Sequence, residues 1–129
     1  MIVVDINLLA YLLIPGKYTE RAENLLTADT DWAAPRFWRS ELRNVLSTYV
    51  RNKLLRLTDA TALYRQAVNI IGADEYDVET NEVLRLSEAS GCSAYDCEFV
   101  ALAYFLDVKF FTADAKLAKA FPNRGVMLL

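Results

Sequence analysis

Four carboxylates stand out by position. Asp5 follows the run Ile2-Val3-Val4 directly, Glu41 lies in Ser40-Glu41-Leu42-Arg43, Asp96 in Ser93-Ala94-Tyr95-Asp96, and Asp114 just past Thr112. The chain has no histidine, and Cys92 and Cys97 are spaced neither as a CxxC redox pair nor as a zinc ligand set. Serine–histidine, cysteine–histidine and histidine–metal chemistry are thereby excluded, and the two thiols read as reduced and packed. What is left is oxygen chemistry. Carboxylates are hard ligands of the kind that suit Mg²⁺ or Mn²⁺. A divalent ion so held activates a water and offsets charge on a phosphodiester under in-line attack, with no protein nucleophile required. Thr112 could hold a water by its hydroxyl, and Asn7 could orient Asp5.

These groups must be positioned by elements, and the hydrophobic pattern supplies them. Ile2-Val3-Val4 is a β-branched run that suits a buried parallel strand. Helices are expected from Leu8 to Ile14, closed by Pro15-Gly16, and from Thr19 to Ala28. Trp32-Ala33-Ala34 reads as a strand before Pro35, and Phe37 to Asn52 as a helix striped by Trp38, Leu42, Val45, Leu46 and Tyr49, with Glu41 on the edge of the stripe. A further helix runs from Asp59 to Ile71 with Thr58 as its N-cap and Gly72 as its stop. Glu75 to Val78 reads as a strand and Thr80 to Ala89 as a helix ending before Gly91. From Tyr95 to Leu106 the only charges are Asp96 and Glu98, which predicts a helix buried on every side. Lys109 to Thr112 is a short strand, Leu117, Ala118 and Phe121 recur at helical spacing, and Val126-Met127-Leu128 is a last strand.

Short strands alternating with helices argue for an α/β fold in which a parallel sheet is covered on both faces. Ligands of such sheets bind beyond the carboxyl ends of the strands, where the strand order reverses. Asp5 and Asp114 both lie past strand ends and can face that crevice, while Asp96 and Glu41 could reach it from the sides. Four carboxylates converging there could not all remain ionised cheaply without a cation. Ordinary explanations stand beside this one. Asp96 has the spacing of a capping box with Ser93, Asp114 could be an N-cap, Thr112 a turn hydroxyl, and Asp5 a cap for the helix that follows. Glu41 could pair with an arginine or point to water, and Glu98 reads as a helix-dipole residue.

Composition sets the frame. The 129 residues read as one domain over 1–129, with 54% apolar residues and 14 Lys and Arg against 17 Asp and Glu, a net charge of −3. Bulk attraction to nucleic acid or anionic membrane is therefore absent, and such binding would need a local basic patch. Arg36, Arg39 and Arg43 could form one beside Glu41, or be a solvated face; Arg51, Lys53 and Arg56 form a second cluster at the end of the same helix. The N-terminal stretch lacks the positive n-region of a signal peptide and is interrupted by Asp5 and Asn7. The apolar run from Phe99 to Leu106 is far short of the roughly 18 residues of a membrane span. A cytoplasmic protein is expected.

Taken together, Asp5 and Asn7 in VVDINLLAYLL, Glu41 in SELRNVL, Asp96 in SAYDCEFVALA, and Thr112 with Asp114 in FFTADAKLAKAF resemble the PIN domain. The resemblance covers essentially the whole chain and is most like the VapC-type toxins of prokaryotic toxin–antitoxin pairs. It implies a three-layer Rossmann-like fold with about five parallel strands, and Mg²⁺- or Mn²⁺-dependent endoribonuclease activity. It further implies homodimers and inhibition by a small cognate antitoxin. By the same resemblance Asp5, Glu41, Asp96 and Asp114 carry over as metal-binding and catalytic acids, with Asn7 and Thr112 as supporting polar groups. Two other readings stand beside it. VVDIN faintly resembles haloacid-dehalogenase-type phosphatases, although Asn7 stands where a second acid is normal there. A non-catalytic binding module would instead use Phe37, Trp38, Tyr49 and Tyr64 as a partner surface, with structural acids.

Overall fold

A computed structural model describes residues 1–129. Twelve elements follow one another: β1 (Ile2–Val4), α1 (Ile6–Leu13), α2 (Thr19–Ala28), β2 (Trp32–Pro35), α3 (Trp38–Arg51), α4 (Leu57–Ile71), β3 (Glu75–Tyr76), α5 (Thr80–Ser90), α6 (Ala94–Leu106), β4 (Phe110–Thr112), α7 (Ala115–Ala120) and β5 (Val126–Leu128). The five strands make one sheet in the order β3-β2-β1-β4-β5, and every neighbouring pair is parallel. The chain therefore walks outward from β1 to β3, returns, and places β4 against the free side of β1. The strand order reverses between β1 and β4, so their carboxyl ends flank a crevice.

Burial explains why these strands are so apolar. All three residues of β1 are buried, because helices cover both faces of the sheet. On one face α6 lies against β1, β2 and β4 and is backed by α5; α1 and α4 reach β4 and β2, with α2 and α3 beside them. One core of 27 buried residues runs through these layers, anchored by the fully buried Trp32, Trp38 and Phe110. Phe99 of α6 stacks on Phe110 of β4 with centroids 5.6 Å apart and planes 14° from parallel. Buried leucines such as Leu102, with no exposure, would each cost about 2–5 kcal/mol on truncation to alanine.

The expected elements are all present, with four local differences. Helix α1 starts at Ile6 rather than Leu8, because Asp5 caps it and the strand passes straight into the helix. Helix α4 starts at Leu57, not Asp59, and Thr58 is not its cap. Arg56 holds the extended cap position there, and its guanidinium pairs with Asp59 through contacts of 2.9 and 3.2 Å, tying down the first turn. Strand β3 closes after two residues instead of reaching Val78. Helix α6 is not buried on every side. Its inward residues, Cys97 and Phe99 to Ala103, are buried, but Tyr95 is 65% and Phe105 80% exposed, because α5 and the sheet leave one flank open. No helix is long and apolar enough to cross a membrane.

Candidate active site

Asp5 sits where β1 becomes α1 and serves both elements. Its Oδ1 accepts from the Leu8 amide at 3.2 Å; its Oδ2 accepts from the Thr112 hydroxyl at 2.5 Å and from the Ala113 amide at 3.0 Å. Burial pushes its carboxyl above the ordinary range, and these hydrogen bonds oppose that push without cancelling it. Three of about four acceptor positions are thus occupied, and one remains on Oδ1. Thr112, fully buried at the end of β4, passes the network on, for its Oγ1 accepts from the Asp114 amide at 3.0 Å. Asp114 in turn caps α7, with Oδ1 accepting from Lys116 at 2.9 Å and Leu117 at 3.3 Å. Its capping reading is therefore true of one oxygen; Oδ2 has no partner in the protein.

Asp96 and Glu41 do less local work. Ser93 caps α6 by accepting from the Asp96 amide at 3.1 Å, but the Asp96 carboxylate returns no hydrogen bond to Ser93, so the capping box is only half closed. Glu41, in the first turn of α3, has neither an ion pair nor a hydrogen bond through its carboxylate. It is pushed up to about 7, first by burial and then by the charges of Asp96, Asp5 and Glu98. Glu98 itself is raised by burial.

All four acids, with Asn7 and Thr112, line a single cavity of about 250 Å³ at the crevice between β1 and β4. No lysine or arginine lines it. As the side chains stand, no three acids close together tightly enough to chelate one ion. The donor chemistry nevertheless fits a hard cation: oxygen ligands only, three acids with unpartnered oxygens, and burial that, with the neighbouring charges, raises Glu41 to about 7. Asn44, one turn beyond Glu41, also faces the cavity. Its signal was the three-residue offset from Glu41, which puts two side chains on one helix face. A larger depression of about 940 Å³ lies at the opposite, amino-terminal edge of the sheet, near Met1, Lys109 and Arg124, and contains none of these acids.

The three arginines expected beside the site sit elsewhere. Arg39 and Arg43 are both two residues from Glu41, about 200° around the helix, and so lie on its far side. Arg39 forks onto Glu75 at 2.9 and 3.3 Å and also donates to Tyr64 at 3.2 Å; Arg43 donates to Tyr64 at 3.0 Å. Arg36 pairs with Asp77 at 2.9 Å. Glu75 further accepts from the buried Trp38 indole at 2.8 Å, so this network binds α3 to β3 and α4.

Comparison with known proteins places this fold in a family. The PIN domain family model matches residues 2–121. Ribonuclease VapC3 of Pyrobaculum aerophilum is 27% identical over 124 residues, covering 94% of this chain and 95% of that protein. The crystal structure of FitAcB from Neisseria gonorrhoeae superposes with a TM-score of 0.75 at 17% identity, over 100% of this chain and 96% of the other. A toxin–antitoxin complex from Klebsiella pneumoniae does so with a TM-score of 0.69 at 15% identity, over 98% and 96%. At such identities the two structures speak for the fold alone. The family match, however, extends from the strand that precedes Asp5 to the helix that Asp114 caps, and on that ground the chain belongs to the PIN domain family.

Proposed function

We propose that the protein is a divalent-metal-dependent endoribonuclease, acting in the cytoplasm as the toxin of a toxin–antitoxin pair. One observation carries the reading: four carboxylates from four separate segments line one cavity at the strand-order reversal, with no basic residue among them. The family match, the ribonuclease named among its relatives and the toxin–antitoxin complex among its structural neighbours support it. A non-catalytic module would leave the accumulation of unpaired carboxylates without a purpose.

Asp5, Glu41, Asp96 and Asp114 would hold Mg²⁺ or Mn²⁺. The bound ion supplies charge neutralisation at the phosphodiester and acidifies a water. The chain's own part is placement. Asp5 is fixed by three donors, so its free acceptor position points into the cavity with little freedom left to lose. Thr112 locks Asp5 to the Asp114 segment, so the two strand ends cannot separate without breaking a buried hydrogen bond. Asn7, in the first turn of α1, and Asn44 offer neutral donors to phosphate oxygens where a lysine would compete for the carboxylates. In the reaction a water oxygen bonds to phosphorus, the bond to the leaving ribose oxygen breaks, and that oxygen takes a proton. The likeness to toxin–antitoxin proteins extends the proposal to a small antitoxin that blocks this cavity and to a homodimer as the working form.

The test is mapped cleavage of total cellular RNA by the purified protein with Mn²⁺, Mg²⁺ or EDTA, beside Asp5→Asn. Discrete cuts present only with metal and absent in the variant are expected. RNA left intact under every metal condition, or cut equally by Asp5→Asn, overturns the reading.

A further inference from the structure

A second cavity, of about 340 Å³, adjoins the acidic one and shares Asn7 and Val45 with it. Its lining changes character: no carboxylate, but Tyr11, Tyr18 and Tyr49 with Lys17 at the rim. Helix geometry makes the two cavities one trough. Asn7 and Tyr11 are four residues apart on α1, and Glu41, Val45 and Tyr49 follow at the same interval on α3, so each helix carries one ladder from acids to tyrosines. The floor is rigid. The Thr19 hydroxyl donates to the Tyr11 carbonyl at 2.7 Å and accepts from the Gly16 amide at 2.9 Å, pinning the α1–α2 turn. Tyr11 and Tyr18 pack with centroids 4.9 Å apart, while Tyr49 pairs with no other ring. Lys17 and Arg21 stand over the Tyr18 ring at 5.4 and 5.7 Å.

Two facts identify the occupant. Lys17 and Arg21 take part in no ion pair, unlike Arg36 and Arg39, which are held by acids. In a chain of net charge −3 they are free cations next to an acidic cavity. The tyrosine hydroxyls of this trough make no hydrogen bond within the protein, and the Tyr49 ring is free, whereas the Tyr18 ring already carries Tyr11 and the two cations. Aromatic faces beside unpaired cations are the chemistry that receives single-stranded nucleic acid, base on ring and phosphate on cation.

Resting on the ribonuclease reading, we propose that the Tyr11–Tyr18–Tyr49 trough is a substrate subsite. It takes the nucleotide next to the cleaved phosphate, stacking its base on the free Tyr49 ring while Lys17 and Arg21, seated over Tyr18, hold its backbone. Stacking accepts every base, so this subsite orders the strand without choosing its sequence.

The test is the affinity of a short fluorescent single-stranded RNA, measured by anisotropy on the otherwise wild-type parent in EDTA, where the proposed metal-dependent cleavage is absent. Tyr49→Ala should weaken binding about 5- to 150-fold, the range for loss of one stacked base, and Tyr18→Ala, which removes the ring that seats the two cations, should weaken it as well. Tyr18→Phe and Tyr49→Phe, which keep the ring, should stay near the parent and control for folding. Lys17→Ala with Arg21→Ala should lower the slope of log affinity against log salt by about 0.7 for each phosphate that the two cations neutralise. Alanine variants that bind like the parent overturn the subsite, and if the wild-type protein still cuts RNA the ribonuclease reading survives. A parent that binds no RNA overturns the subsite as well; wild-type protein that also cuts none removes both. Tyrosine variants that weaken only a protein partner's binding overturn it too.

Discussion

Glu41 is the residue on which the electrostatics of the site can be measured without any substrate. Its carboxyl is raised from 4.5 to about 7, by burial first and by Asp96, Asp5 and Glu98 after that. At roughly 1.36 kcal/mol per pH unit the gap is about 3 kcal/mol, and because the side chain is only partly buried, screening reduces it to about 1–2 kcal/mol. The sign follows from linkage. The folded state holds this proton more tightly than the unfolded chain, so the destabilisation is absent below about pH 4.5, grows as pH rises to about 7, and is then constant. Glu41→Gln keeps the shape and removes the charge, and it breaks no hydrogen bond or ion pair, since Glu41 makes none. In EDTA the variant should therefore be more stable than wild type by about 1–2 kcal/mol at pH 8, a rise in Tm of roughly 3–8 °C for a chain of this size, and nearly equal to it at pH 4.5. Asp5 and Glu98 also titrate, but they are common to both proteins, so the difference isolates Glu41. Circular-dichroism melts at the two pH values suffice. A variant less stable than wild type at pH 8, or a gain of the same size at both pH values, would refute the claim that burial and the neighbouring acids destabilise the ionised Glu41 carboxylate.

Other expectations follow from the hydrogen-bond networks. Thr112→Val removes the hydroxyl that joins Asp5 to the Asp114 amide while keeping the volume; it should cost about 1–3 kcal/mol in denaturant melts and weaken Mn²⁺ binding about 10- to 100-fold. Arg39→Ala breaks the fork onto Glu75 and leaves that acid with the Trp38 indole and a longer, 3.8 Å contact from Arg36. It should lower stability by about 1 kcal/mol and leave the KM for RNA unchanged, whereas a phosphate-binding Arg39 would raise KM.

What a chain of letters reveals here depends on sequence distance. Asp5 could be read because strand, acid and helix are contiguous: Ile2-Val3-Val4 demands burial, and the next residue must lie at the strand's carboxyl end. The same logic placed Thr112 at the end of β4 and Asp114 just past it. Asp96 and Glu41 were readable as members of helix starts, but only the fold could show that their carboxylates go unused by capping or pairing. The arginines were hidden for the opposite reason. Arg39 and Glu75 are 36 residues apart, and nothing local to α3 announces an acid arriving on β3. The all-apolar pattern of α6 likewise could not say which flank lacks cover, and Phe105 is the result. The tyrosine trough is assembled from α1, the turn before α2 and α3, so no single stretch carries its signature.

The most direct measurement is a Mn²⁺ titration of the purified protein, followed by the loss of the free-ion electron paramagnetic resonance signal, for wild type beside Asp96→Asn and Asp114→Asn. Saturable binding in wild type that is lost or weakened at least about tenfold in each variant is the predicted result. Wild-type protein that takes up no Mn²⁺ saturably, or variants that bind it as wild type does, would contradict the assignment of this carboxylate cavity as a metal centre.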